Sequence, residues 1–222
     1  MRAGKEEQHR GWRAPPVLIW LAVLLALPEL VLQAADLGLF GSARWRPLAY
    51  QNFAFWVGLL HDWRPNYAIQ PYSMFVTYSV LHGGFGHLIG NLAALFVLGP
   101  IVIDQAGARG FLAVWLLSVL GGAVAFGLLS SSAQPMVGAS GALFGLAGAW
   151  LAWDGQEARR ARTSLWPVAN RVAGLVLLNL ALWVLQGGRL AWETHLGGFV
   201  TGWIWAMWIA PSSRKTLSNL PE

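Results

Sequence analysis

"PMVGASGALFGLAGAWLAWD", residues 135–154, sets one hydroxyl, that of Ser140, among glycines at the mouth of an apolar run that ends at Asp154. The fourteen residues from Ser140 to Trp153 would rise only about 21 Å as a helix, well short of a hydrocarbon core of about 30 Å. With Asp154 at the inner boundary, Ser140 starts its helix roughly 10 Å below the outer edge. Non-helical backbone at that depth, here "SSSAQPMVGA" (130–139), is tolerated only when it is buried in protein or lines a wet cavity. The stretch therefore predicts a short helix that begins within a membrane, with Ser140 at the floor of a water-filled pocket.

Composition agrees with a membrane setting. Of 222 residues, 56% are hydrophobic and 11% charged, and the mean hydropathy is +0.49. Soluble domains carry about 25% charged residues, so the chain is an all-α polytopic membrane protein. Six apolar stretches account for most of it, at about 15–35, 85–103, 111–130, 140–153, 167–185 and 192–210. Pro28 marks a kink in the first, and Pro211 stops the last. The first run follows a basic leader but is long for the apolar part of a signal peptide, and five more spans follow it, so it is an uncleaved helix. Fourteen tryptophans, many at run ends such as Trp20, Trp63, Trp153 and Trp208, suit interfacial anchoring. There is no cysteine, which removes disulfides and thiolate metal sites. No motif calls for a metal or an organic cofactor.

A net charge of +5 would suit a nucleic-acid partner if it were gathered on one face. It is instead spread over short loops, where it acts as a topology signal. With the N-terminus inside, the inner segments hold Arg2, Lys5, Arg10, Arg13, Arg109, Arg159, Arg160, Arg162, Arg214 and Lys215, while the outer loops hold Arg44, Arg46, Arg64 and Arg189. That asymmetry predicts both termini on the cytoplasmic side. The expected organisation is a cytoplasmic tail (1–14), a six-helix membrane domain (15–211) with an outer loop at 36–73, and a second cytoplasmic tail (212–222). Within the outer loop, "WRPLAYQNFAFWVGLLHDW" (45–63) has apolar residues at helical spacing and should lie in or on the outer membrane surface as a cap.

Polar side chains inside a span are costly, so the few present carry information. His87 and Asn91 in the second span, Ser140 in the fourth and His195 in the sixth all sit near the N-terminal ends of helices that run inward from the outer face. They should share one depth. Gly141, Gly145 and Gly148 form a small-residue stripe beside Ser140, and Gly198 and Gly202 follow His195 on one helix face. Such stripes let helices approach closely, close enough to bring His195 to Ser140 as a general base. Phe144, one turn after Ser140, can stack on the imidazole. The Ser140 amide at a helix N-terminus, with His87 and Asn91 as i, i+4 partners, can face one developing oxyanion. His82 braces the preceding turn. Asn179, mid-span in the fifth helix, reads as interhelical glue, and Glu29 as a hydrogen-bonded or snorkelling carboxylate.

"HGGFGHLIGN" (82–91), "GASG" (138–141) and "HLGGFVTG" (195–202) resemble, in order and in helix placement, the three signature segments of the rhomboid intramembrane serine proteases. The resemblance implies a rhomboid-like bundle of six transmembrane helices and a Ser140–His195 dyad, with His87 and Asn91 lining the oxyanion hole. It also implies that the fifth helix and the capping loop act in substrate entry. Gly138, Gly141, Phe144, Gly198 and Gly202 support the site. Two positions depart from the family pattern. Ser73 and Met74 stand where a Trp-Arg pair is common, although Trp63–Arg64 occurs nearby, which leaves the anchoring of the outer loop open. Phe144 stands where tyrosine is frequent, so a hydroxyl hydrogen bond is lost while the stacking survives.

These features lead to one main expectation, an endopeptidase that cuts transmembrane or juxtamembrane segments of membrane proteins near the outer face of a bilayer. That bilayer is expected to be a bacterial inner membrane, with the site open to the periplasm. The alternative is a non-catalytic membrane protein that holds client helices through the same polar groups.

Overall fold

The computed structural model describes residues 14–209. Residues 1–13 of the first expected tail and all of the second, and with them six of the ten inner basic residues counted above, lie outside the described residues. Seven helices account for the fold, which has no strand among the described residues: α1 (Pro16–Asp36), α2 (Trp45–Phe53), α3 (Gln70–Thr77), α4 (Phe85–Leu129), α5 (Ser140–Arg160), α6 (Trp166–Leu185) and α7 (Trp192–Trp208). Three of them, α1, α4 and α6, are long and apolar enough to cross a membrane. Leu177, Leu180, Val184 and Leu185 on α6, like Trp20, Leu24 and Leu27 on α1, present their side chains outward. Apolar surface on that scale needs lipid around it.

The 45 residues of α4 are not one rod. Gly107, with φ 69° and ψ 175°, breaks the helix into arms at 85–106 and 108–129. A straight helix would carry Val119 about 51 Å beyond Phe85. Yet the Tyr78 hydroxyl donates to the Val119 carbonyl at 2.8 Å, and only seven residues, at most about 25 Å of chain, separate Tyr78 from Phe85. The arms must therefore turn back on each other. They coincide with the second and third apolar stretches of the sequence, and Gly107 supplies the left-handed backbone that the reversal requires.

The expected fourteen-residue helix at Ser140 is in fact 21 residues long, reaching Arg160. Asp154 does not end it. The charged residues continue the helix because a carboxylate is no helix breaker; Asp154 instead pairs with Arg171 of α6 at 2.6 Å. Likewise α1 passes through Pro28 as one continuous helix.

Helices α5 and α7 form the centre, flanked by α4. The small-residue stripes do what their spacing predicts. A Cβ on Gly198 would overlap the Gly141 carbonyl, and one on Gly202 would overlap the Gly145 carbonyl. Backbone thus lies directly on backbone. By contrast α6 is only loosely attached, with Val168 its single buried residue.

The outer segment folds into α2, a 3-10 turn at Val57–Leu60 and α3. Met74 is buried in the core and the Ser73 hydroxyl meets that of Tyr67 at 3.1 Å, while the ionic anchor of the segment is Arg46. The Arg46 guanidinium grips Glu29 of α1 through two contacts of 2.9 Å, meets Asp36 at 2.6 Å and donates to the His82 carbonyl at 3.2 Å. Tyr50 donates to that same carbonyl at 2.6 Å. These partners, Glu29 first, hold Arg46 protonated above its ordinary range. Glu29 is fully buried, so Arg46→Leu would strand a carboxylate away from water. We expect Arg46→Leu to cost about 3 kcal/mol of stability and the double variant Glu29→Leu/Arg46→Leu to recover most of it. Thermal melts of the detergent-solubilised variants would check this; a double variant as unstable as the single would refute the assignment.

Candidate active site

The loop from 130 to 139 delivers Ser140, and three contacts hold it. Phe55 and Met136 exchange backbone hydrogen bonds of 3.0 Å in an isolated antiparallel bridge, and the Gly138 amide donates to the Tyr78 carbonyl at 3.0 Å. Met136, Gly138 and Ala139 are buried while residues 131–134 are exposed, so the part of this irregular backbone next to Ser140 is satisfied inside the protein and the rest lies at the surface. Ser140 is then the first residue of α5 and stays partly exposed. The first amide groups of a helix have no partner within it, and the helix dipole leaves them positive.

His195 lies in the first turn of α7, in which Glu193, Thr194 and His195 are all buried. Its Nε2 is 2.8 Å from Ser140 Oγ. The Phe144 ring stacks on the imidazole, with centroids 4.3 Å apart and planes 6° from parallel. Both contacts are those expected from the spacing of Ser140, Phe144 and His195. The contact that was not expected is on the far side of the ring, where His195 Nδ1 meets Asn179 Oδ1 of α6 at 2.5 Å. Asn179 thus joins two helices, as expected, and its partner on α7 is His195 itself. The signal was present in the sequence, as an amide midway along the apolar run of α6, but its direction was not.

His87 and Asn91 lie on the first arm of α4 and converge on Gly138. A Cβ at Gly138 would come within 2.7 Å of His87 Cε1, 2.8 Å of His87 Nε2 and 3.7 Å of Asn91 Nδ2. The Gly138 φ of +127° also lies where side chains are strained. His87 Nδ1 accepts a hydrogen bond from the Gly83 amide at 3.2 Å. A neutral ring with Nδ1 accepting carries its proton on Nε2, so His87 presents a donor toward Gly138. Asn91 Nδ2 is buried with no partner. Two unengaged donors thus flank the turn that ends at Ser140. Gly138→Ala is expected to keep the helices but displace the His87 ring, shifting its imidazole NMR signals; unshifted signals would show that His87 is placed elsewhere.

His82 is wholly buried and meets His87 edge-on, with centroids 5.3 Å apart. Its carbonyl, held by Arg46 and Tyr50, is the part that braces the turn. Gly141, Gly198 and Gly202 lie in the α5–α7 contact already described. His87, Asn91, Ser140 and His195 thus lie at the N-terminal ends of α4, α5 and α7, while Glu29, Asn179 and Gly202 lie elsewhere on α1, α6 and α7.

Comparison with known proteins bears on the family of the chain. Residues 70–212 match the model of the Rhomboid domain. Over 128 residues the chain is 35% identical to RHOMBOID-like protein 5 of Arabidopsis thaliana, covering 55% of this chain and 39% of that protein. RHOMBOID-like protein 2 of the same plant is 36% identical over 129 residues, or 55% of this chain and 37% of that protein. Uncharacterized protein ML1171 of Mycobacterium leprae is 32% identical over 147 residues, 62% of this chain and 56% of that protein. The chain thus spans less than two thirds of the length of each of these relatives. The match nevertheless covers most of the bundle, from α3 to α7, and together with the long apolar helices it makes this chain an integral membrane protein of the rhomboid family.

Proposed function

We propose that the protein is an intramembrane serine endopeptidase acting on transmembrane or juxtamembrane segments of other membrane proteins. The observation that carries this reading is the 2.8 Å contact between Ser140 Oγ and His195 Nε2, made inside a membrane bundle where an idle serine–histidine pair would be costly. In the reaction Ser140 attacks the scissile carbonyl while His195 takes its proton, later passing it to the leaving amine. The oxyanion forms beside the α5 N-terminus, where the Ser140 amide, His87 Nε2–H and Asn91 Nδ2–H donate to it. Water then hydrolyses the acyl-enzyme. The substrate helix must unwind locally, because its carbonyls are otherwise engaged, so small or helix-destabilising residues should surround the cut. No cofactor enters these steps.

The reading extends to six spans, counting the two arms of α4 separately, with both termini cytoplasmic. Arg109 between the arms and Arg159, Arg160 and Arg162 at the end of α5 support that orientation. Ser140 then faces the outer side, in a bacterial inner membrane if the mycobacterial relatives are the better guide. The loosely packed α6 and the outer cap are suited to admitting substrate from the bilayer.

A fluorophosphonate probe applied to the purified, detergent-solubilised protein tests the reading. An adduct mapped by mass spectrometry to Ser140, and absent after heat denaturation, is the expected result. No adduct on the folded protein, with a control serine protease labelled alongside, would sink it and favour a client-helix binder with no activated serine.

A further inference from the structure

The far side of the His195 ring carries an assignment that the dyad alone leaves open. A neutral imidazole has one protonated and one bare nitrogen, and only the tautomer with a bare Nε2 can take a proton from Ser140. Asn179 Oδ1 has no hydrogen to give. Its 2.5 Å contact with His195 Nδ1 is a hydrogen bond only when the proton sits on Nδ1. Nε2 is then bare and accepts from the Ser140 hydroxyl across 2.8 Å. We propose that Asn179 is the positioning residue of the general base, fixing both the tautomer and the rotation of His195 from α6. This deepens the reading of Ser140 and His195 as nucleophile and base, and rests on it.

The surroundings favour such a role. The Asn179–His195 contact lies at a cleft of about 290 Å³ between α5, α6 and α7, walled by Val172, Leu175, Val176, Leu196 and Phe199. Apart from the Trp192 indole, Asn179 and His195 are the only lining residues with polar side chains. No other side chain there can accept the Nδ1 proton, since an indole nitrogen only donates. Phe144 supports the ring face by stacking but has no polar atom to choose between tautomers. The hydrogen bond also joins the base to the most loosely held helix of the bundle, so the imidazole is set only while α6 is seated.

Three forms of the full-length protein decide the matter: wild type, Asn179→Leu and Asn179→Asp, with His195→Gln to assign the histidine signals. Nitrogen-15 NMR of the imidazole in detergent micelles should place the proton on Nδ1 in wild type and in Asn179→Asp, and a mixture of tautomers in Asn179→Leu. Turnover of a transmembrane substrate should follow, with kcat of Asn179→Leu down about tenfold, KM little changed, and Asn179→Asp recovering most of the loss. Because α6 buries so little, Asn179→Leu should melt like wild type. A wild-type proton on Nε2 would overturn the proposal, as would Asn179→Leu with unaltered tautomer and kcat. A wild-type protein with the proton on Nδ1 but no reactive Ser140 would overturn the hydrolase reading and leave the Asn179 contact purely structural, which refutes this proposal too.

Discussion

Ser140→Ala is expected to bring cleavage of a transmembrane substrate in proteoliposomes to the uncatalysed background, a loss of at least about a thousandfold in kcat. His195→Ala should fall almost as far. The two losses should not multiply, because the hydroxyl and the imidazole act as one unit: each is nearly useless without the 2.8 Å contact between them. A double variant is therefore expected to match the worse single one. Folding should survive both changes, since neither side chain is part of the α5–α7 backbone contact. Cleavage by Ser140→Ala at even a tenth of the wild-type rate would mean that another group performs the attack. His87→Ala and Asn91→Ala form a useful contrast. They leave the nucleophile activated and remove one oxyanion donor each, so probe labelling should weaken less than turnover.

Gly198→Val is expected to abolish activity as effectively as losing His195, by a different route. Its Cβ would fall on the Gly141 carbonyl, and the next residue along is Ser140. Neither partner in that contact is a flexible side chain, so the helices must separate. A displacement of about 1 Å at a reacting pair costs on the order of a hundredfold, and a branched side chain demands more. Melting temperature should drop alongside activity, because the Gly202–Gly145 contact one turn further on opens too. Gly155→Ala serves as control: on the same helix as Gly141, its added Cβ meets nothing within 4 Å. It should retain activity and, if anything, melt higher. Full activity in Gly198→Val, measured beside Gly155→Ala, would mean that backbone contact is not what holds Ser140 against His195.

The helices and several of their contacts were legible in the order of the amino acids. Apolar runs bounded by glycine, proline and charge located the six long segments, because a bilayer rewards apolar length and little else. The glycines beside Ser140 and His195 announced a close helix contact, and Phe144 one turn from Ser140 announced its stacking. Charge misled at Asp154, where a carboxylate was read as a helix end although helices stop for backbone reasons. Four features were decided only in three dimensions: Arg46 gripping Glu29, Asn179 facing the His195 ring, Phe55 bridged to Met136, and His87 turned toward Gly138. The first three join segments that no periodicity links, by hydrogen bonds between side chains or backbone far apart in the chain, and the fourth depends on which way an imidazole faces. Periodicity records which face of a helix is apolar; which atom a lone polar group on that face will meet is settled only when the helices pack.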